Sequence, residues 1–110
     1  GGYYVGEREF LIYLDAAHEN RYRHRHVWER GQIIEFRIQY EALVAGDWHP
    51  IVRYDSAHGK PHKDTLHPDA TQTKERYPGY SNAEVLTIGQ REIMENWPRY
   101  RARYEKEMGK

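Results

Sequence analysis

Alternating apolar and polar residues predict four β-strands in the first half of the chain. The predicted strands span residues 8–14, 22–28, 33–44 and 48–55. The segment 33–44 shows the two-residue period of a strand most clearly, because one face carries Ile34, Phe36, Ile38 and Tyr40. The segment 8–14 is apolar on both faces, a pattern that favours a central or well-covered strand.

The lengths of the turns predict how the strands pair. A three-residue turn at 45–47 places Ile38 opposite Tyr54 on the apolar face and Arg37 opposite Asp55 on the charged face. Only an odd-length turn matches both faces, since a one-residue slip moves every side chain to the other face. The charged pair is either part of a site or an ordinary cross-strand ion pair, and the sequence leaves both interpretations open.

A turn of the same length at 30–32 pairs the second predicted strand with the third. It places Trp28 opposite Ile34. A one-residue slip would instead bring His24 and His26 onto the charged face, and the sequence does not decide between the two registers.

A C-terminal helix is predicted from a capping box, in which the side chains of Ser81 and Glu84 each accept from the other's backbone amide. Apolar residues then recur at helical spacing, at Leu86, Ile93, Trp97, Tyr100 and Tyr104. Pro98 is expected to kink this helix or to restart it after Asn96, and residues 99–110 are expected to fray.

These elements predict an α+β architecture, an antiparallel β-meander of about four strands with a C-terminal helix packed on one face. A chain of 110 residues is expected to form a single domain, here residues 1–110. Residues 56–69 and 71–80 are predicted to be loops, because glycine, proline and other turn-forming residues interrupt them.

Composition narrows the classes of protein to consider. Lys plus Arg and Asp plus Glu both number 17, so no global basic charge indicates nucleic acid. The absence of Cys excludes disulfides and thiolate metal ligands. No apolar run approaches the roughly 20 residues of a membrane span, and no signal peptide is visible. We therefore expect a cytoplasmic protein that does not enter a membrane.

The segment after the fourth predicted strand concentrates residues that carry chemistry. Between Asp55 and Asp69 lie three His, two Lys and Asp64. A polar loop attached to a strand is where function usually lies. We expect residues 58–64 to form a polar site beside Arg53 and Asp55. Substitutions in such an exposed loop are expected to cost less than about 1 kcal/mol of stability.

These residue types suit a ribonuclease that needs neither a cofactor nor a metal. His58 or His62 would exchange protons with the 2′-hydroxyl and the leaving group, and Asp55 would orient a neighbouring Arg or His. The phosphate would be held by cationic side chains, at Arg37, Arg53, Lys60 and Lys63.

A metal site is the alternative use of the same loop. Imidazole and carboxylate groups suit zinc, manganese or iron. The spacing of His58 and His62 is that of ligands on a helix, but Gly59 and Pro61 disfavour a helix there. The candidate ligands are His58, His62 and His67, with Asp55, Asp64 or Asp69.

The run VRYDSAHG at residues 52–59, followed by Pro61-His62-Lys63-Asp64, resembles a small prokaryotic family related to the toxins of type II toxin–antitoxin pairs, the TumE-like proteins. The resemblance covers residues 33–69. It implies a bacterial or archaeal cytoplasmic protein that cleaves RNA and is inhibited by a cognate antitoxin protein.

Two hypotheses about function follow. The first is a toxin-like ribonuclease that uses a His/Arg/Asp site at residues 53–64, and the local charged face from Arg23 to Arg37 together with the His-rich loop favours it. The second is a non-catalytic module of a toxin–antitoxin-type system, which binds a protein or a nucleic acid through the charged sheet face. The neutral overall charge favours this module. A homo-oligomer is compatible with either hypothesis.

Overall fold

The computed structural model describes residues 5–109, except for the side chain of His58. One antiparallel sheet has its strands in chain order and is followed by a single helix. The strands are β1 (Val5–Tyr13), β2 (Asn20–Glu29), β3 (Gln32–Val44), β4 (Asp47–Asp55), β5 (His62–Leu66) and β6 (Gln72–Arg76), and the helix is α1 (Asn82–Glu107). The α+β class is confirmed, whereas the count of about four strands is wrong, because six are present.

The two additional strands, β5 and β6, lie in the segments predicted to be loops. Pro61 and Pro68 flank β5 instead of interrupting it, so neither ring removes a hydrogen bond from inside this strand. A one-turn 3₁₀ helix, Ala57–Gly59, connects β4 to β5. The breaker residues therefore mark the ends of a short strand, and the chain continues the meander past Asp55.

β1 is an edge strand, which corrects the prediction that it is central or well covered. Val5 and Ile12 are 64% and 40% exposed. Only β2 pairs with this strand, and α1 packs mainly over β3 and β4. The two-sided apolar pattern of β1 thus leaves apolar side chains partly in solvent.

The register predicted between β3 and β4 is confirmed, although the turn that connects these strands differs from the predicted one. Ile38 pairs with Tyr54, and Arg37 pairs with Asp55. The turn between these strands contains two residues, not three, and both have positive φ, as a type I′ turn requires. A bulge between Tyr40 and its neighbour in β3 shifts the register by one residue and so restores the predicted pairing.

The hairpin of β2 and β3 is built in the same way. Its turn consists of two residues with positive φ, and a bulge lies beside Trp28. Trp28 therefore pairs with Ile33 and not with Ile34, which corrects the prediction. The alternative slip does not occur, because His24 and His26 lie on the face that α1 covers in part.

The start of α1 confirms the capping box. The Glu84 amide donates to Ser81 Oγ at 3.1 Å, and the Ser81 amide donates to Glu84 Oε1 at 3.0 Å. The helix continues through Pro98 to Glu107, so the predicted restart and the fraying after residue 99 are wrong. Arg101 anchors this half of the helix by donating to the Leu43 carbonyl at 2.8 Å. No helix in the described part of the chain is long and apolar enough to cross a membrane.

The hydrophobic core lies between α1 and the central strands. Its members include Tyr22, Phe36, Ile38, Tyr40, Val52 and Tyr54 from the sheet, with Val85, Leu86, Ile93 and Tyr104 from the helix. The helix comes closest at Gly89, where an added Cβ would lie 2.7 Å from the Tyr54 ring. We call the opposite side of the sheet, which α1 does not cover, the open face.

A chain of three side chains lies on the helix side of β2. The Tyr22 hydroxyl lies 2.6 Å from His24 Nδ1, and His24 Nε2 lies 2.6 Å from His26 Nδ1. Burial, together with His26 and Arg8, lowers the pKa of His24 to about 4. Burial also raises the pKa of Tyr22 well above its usual range. A protonated Tyr22 therefore donates to a neutral His24, which donates onward to His26.

This arrangement predicts a loss of stability in mild acid. The unfolded chain binds a proton at residue 24 below its ordinary pKa near 6.5, whereas the folded chain does so only near pH 4. The stabilisation of the folded state by His24 is therefore fully present above about pH 6.5. The free energy of unfolding falls by about 3 kcal/mol from this source as the pH drops to 4. Urea unfolding across this range should show a smaller loss for His24→Gln, and the exposed-site control His18→Gln should keep the wild-type loss. Parallel curves for all three proteins would contradict the assignment.

Candidate functional site

The open face is dominated by charged side chains. Five arginines from three adjacent strands lie on it, at Arg21, Arg23, Arg25, Arg37 and Arg53. Acidic residues alternate with them, and Glu41 accepts hydrogen bonds from both Arg21 and Arg23. Burial acts to raise the pKa of Glu41, but these hydrogen bonds outweigh it and hold that pKa below its usual value. The face is therefore a network of exposed and half-buried arginine side chains, several of them paired with carboxylates.

Three buried polar side chains form a cluster at one end of this face, between β4 and β5. His62 Nε2 lies 3.0 Å from Asp55 Oδ1 and 3.3 Å from Asp64 Oδ2. The three side chains are 7%, 5% and 6% exposed, in the same order. Two carboxylates and one imidazole are thus held together almost without solvent.

Strand pairing explains why these residues meet. Asp55 pairs with His62, and Arg53 pairs with Asp64, in the antiparallel ladder of β4 and β5. Directly paired residues share a face, and side chains two positions apart along a strand also share it. The alternation therefore brings all four side chains to the open face.

Most polar atoms of the cluster have defined partners. Asp55 accepts from Arg37 Nη2 at 2.9 Å through Oδ2 and from the Ala57 amide at 3.1 Å through Oδ1. His62 Nδ1 lies 3.3 Å from the Lys60 carbonyl oxygen. Among the described residues, buried Asp64 Oδ1 has no hydrogen-bond partner. One carboxylate oxygen of the cluster is therefore left unsatisfied.

Arg53 interacts electrostatically with both carboxylates of the cluster. Burial and the neighbouring Arg37 lower its pKa, while Asp55 and Asp64 act in the opposite direction. Its Nε donates to Gln39 Oε1 at 2.7 Å. Arg53 thus supplies a positive field to the cluster while its Nε is engaged by an amide.

A cleft of about 610 Å³ opens beside the cluster on the same face. Arg23, Arg25 and Arg37 line it, and Asp55 lies at its inner end. The side chains of Arg37 and Arg23 are 56% and 45% exposed. The cleft therefore offers several guanidinium groups to a ligand.

Aromatic rings lie at the opposite end of the open face. The Tyr13 ring stacks on His18 with centroids 4.1 Å apart, and its centroid lies 6.5 Å from that of Trp48. The Arg21 guanidinium lies over Trp48, 3.7 Å from the ring centroid. Tyr13 is among the exposed large apolar side chains. An aromatic platform, in which the planes of Tyr13 and Trp48 are inclined by 45°, therefore continues the row of arginines.

The structure brings together four of the seven predicted site residues, Asp55, His62, Arg37 and Arg53. Lys63 lies on the other face, where its Nζ is 3.3 Å from Glu92 Oε2, so its predicted role in the site is wrong. It alternates with His62 and Asp64 because residues 62–66 are a strand and not a loop.

Two further predicted residues, Lys60 and His58, lie between β4 and β5. Lys60 is exposed and contributes its carbonyl oxygen to the cluster. The backbone of His58 lies in the 3₁₀ turn between two residues that line the cleft, but its side chain is outside the described part of the structure. The predicted role of His58 stays a prediction.

The alternative set of three histidine ligands does not form among the described side chains. His67 lies at the end of β5, where its Nδ1 is 2.8 Å from Glu107 Oε1 and its Nε2 is 2.8 Å from Thr73 Oγ1. The group with metal-ligand spacing contains instead Asp55, His62 and Asp64. From the sequence, Asp64 was predicted only as an alternative metal ligand. The signal that places its side chain beside His62 is the alternation of side chains along residues 62–66.

The aromatic platform was not predicted from the sequence, whereas Arg23 and Arg25 were expected on the charged sheet face. Arg23 and Arg25 were visible as an alternating basic run. Tyr13 and Trp48 come together only through the pairing of distant strands, for which the sequence gives no local signal.

Burial of His62 corrects the expectation that its substitution costs little stability. His62→Ala removes the imidazole between two buried carboxylates, and breaking such a buried pair costs about 3 kcal/mol. The measurement is the free energy of unfolding in urea. His67→Ala, at a more exposed site just past the other end of β5, should cost less than about 1 kcal/mol. Equal small losses in both variants would show that the carboxylates do not depend on His62.

Comparison with protein families gives one match. A family model described as Domain of unknown function (DUF7718) matches residues 5–110. No curated protein and no solved structure matches the chain.

Proposed function

The chain belongs to the DUF7718 family, whose function is unknown, and we propose from its site that it binds single-stranded RNA across the open face. The observation that carries this proposal is the combination of exposed arginines with the exposed Tyr13 ring and the half-buried Trp48 ring on one side of the sheet. Neither group is needed for the core, which lies on the other side.

The chemistry of the two groups suits RNA. A guanidinium binds phosphate oxygens through two parallel hydrogen bonds, and Arg23 and Arg37 present theirs to the cleft. Unpaired bases stack on aromatic rings and guanidinium planes, which Tyr13, Trp48 and Arg21 offer. A sheet surface can therefore hold phosphates at one end and bases at the other.

The dimensions of the face support a short single strand. Arg37 beside the cluster and Glu41 beside the platform are four residues apart on β3, about 13 Å at the usual strand rise. Several nucleotides therefore fit between the Asp55 end and the Trp48 end.

Existing ion pairs set the expected strength of binding. Arg25 is paired with Glu7 and Glu35, and Arg37 is paired with Asp55. A phosphate must compete with these carboxylates, so binding is expected to be moderate and to weaken steeply with salt. Arg37, whose side chain is 56% exposed against 37% for Arg25, is the more accessible of the two to a phosphate.

Binding is tested by fluorescence anisotropy with a mixed-sequence 12-nucleotide RNA. Arg37→Gln and Trp48→Ala should each weaken binding about tenfold, since a lost phosphate contact or base stack is worth about 1–2 kcal/mol. The control is Arg91→Gln, which removes an exposed arginine from α1 and should leave affinity unchanged. Equal affinities for all four proteins would contradict binding on the open face. Equally tight binding of double-stranded RNA would contradict the preference for a single strand.

RNA cleavage is the second candidate function, and the position of Asp55 at the inner end of the cleft favours it. His58 is the better candidate for general acid–base catalysis, because its neighbours Ala57 and Gly59 line the cleft. His62 is buried and in contact through both ring nitrogens, so its proposed part is to position Asp55. A toxin-type role and an antitoxin partner are proposed only from the sequence resemblance.

Cleavage is tested on the same RNA by gel electrophoresis, with wild type and His58→Ala. Loss of acid–base catalysis should slow cleavage by about 10²-fold while RNA affinity stays unchanged. His67→Ala, which changes a histidine that does not line the cleft, is the control and should cleave at the wild-type rate. Binding without cleavage by the wild type would identify the chain as a non-catalytic RNA-binding module. Growth arrest on expression, relieved by His58→Ala, would support the toxin-type role.

A further inference from the structure

We propose that Asp55, His62 and Asp64 bind one divalent transition-metal ion. One ligand atom from each of these three buried residues lies within 4.8 Å of the other two. This spacing allows a single ion to contact all three. The inference concerns metal binding by the folded chain and does not depend on the proposed RNA binding.

The unsatisfied oxygen of Asp64 is the first argument for an ion. Its side chain is more than nine-tenths buried, and Oδ1 has no hydrogen-bond partner among the described residues. A buried carboxylate oxygen without a partner is costly, and proteins normally satisfy such atoms. The other oxygen of the same carboxylate faces His62 Nε2, so a cation bound to this carboxylate would lie inside the cluster.

The groups around the cluster are those that orient metal ligands. A histidine that binds a metal usually donates its other ring N–H to a carbonyl or carboxylate, and His62 Nδ1 faces the Lys60 carbonyl. This contact fixes the tautomer in which Nε2 carries a free electron pair. Asp55 is oriented in the same manner, because Arg37 and the Ala57 amide donate to it.

The competing explanation is a proton instead of a metal. A protonated His62 would donate from Nε2 to both Asp55 and Asp64 and would neutralise part of their charge. Protonation of His62 leaves Asp64 Oδ1 without a partner, whereas a metal ion can be coordinated by either oxygen of the carboxylate. The geometry therefore favours the metal.

The donor set selects the kind of ion. One imidazole nitrogen with two carboxylates suits zinc or manganese, whereas magnesium and calcium prefer oxygen ligands alone. Three protein ligands leave at least one coordination position for water or a ligand. Asp55 is the member of the cluster that lines the cleft. The open coordination position would therefore lie closest to a ligand bound in the cleft.

The experiment is calorimetric titration of EDTA-stripped, refiltered protein with Zn²⁺ and with Mn²⁺. Wild type should bind one ion, and Asp64→Asn and His62→Gln should each weaken that binding at least tenfold. The matched controls are Asp69→Asn and His67→Gln, which change an aspartate and a histidine of the neighbouring turn and should keep the wild-type affinity. Thermal unfolding should show metal-dependent stabilisation in wild type and in both controls.

A second measurement covers the case in which a cluster variant does not fold. In ¹⁵N-labelled wild type, substoichiometric Mn²⁺ should broaden the amide signals of residues 55, 62 and 64 before those of residues 67 and 69. Absence of metal binding by the wild type would overturn the proposal in favour of a protonated His62. Binding that both cluster variants retain, or broadening centred on His67, would overturn it as well.

Discussion

The close packing of α1 on β3 and β4 is the contact on which the rest of the structure depends. Gly89 lets the helix approach until the Tyr54 ring fills the space that a Cβ would occupy. This contact buries one face of the central strands, and no helix or strand among residues 5–109 covers the other face. Because strand side chains alternate, every arginine opposite the core must then face outward. The charged open face is thus a direct consequence of where the helix lies.

The pairing of the central strands was predictable because both faces of β3 and β4 carry a strong pattern. The apolar series around Ile38 and the charges at Arg37 and Asp55 agree on one register. The turn length was not predictable from that pattern, since a two-residue turn plus a bulge gives the same register as a three-residue turn. The capping box at Ser81 was predictable because it is local in the sequence.

The strands β5 and β6 were missed because their side chains are polar and their pairing partners lie elsewhere in the chain. β6 is exposed along its whole length, and Pro61 next to β5 has the appearance of a loop residue. Without those strands, nothing assigns Lys63 and His62 to opposite faces of the sheet, so both were predicted to belong to one site. The sheet separates them, and it brings Asp64 beside Asp55 instead.

Folding alone gives no reason for the Asp55–His62–Asp64 cluster. Replacement of a buried ionic group by well-packed apolar residues is often neutral or stabilising, so such a group is weak evidence of a stabilising role. The cluster also lies on the open face, away from the core that α1 completes. A sheet that needed only stability could place apolar or fully exposed charged residues there. The sequence instead buries two carboxylates around one imidazole and surrounds them with groups that orient Asp55 and His62. A bound ligand, whether an ion within the cluster or a phosphate beside it, gives this arrangement a physical purpose.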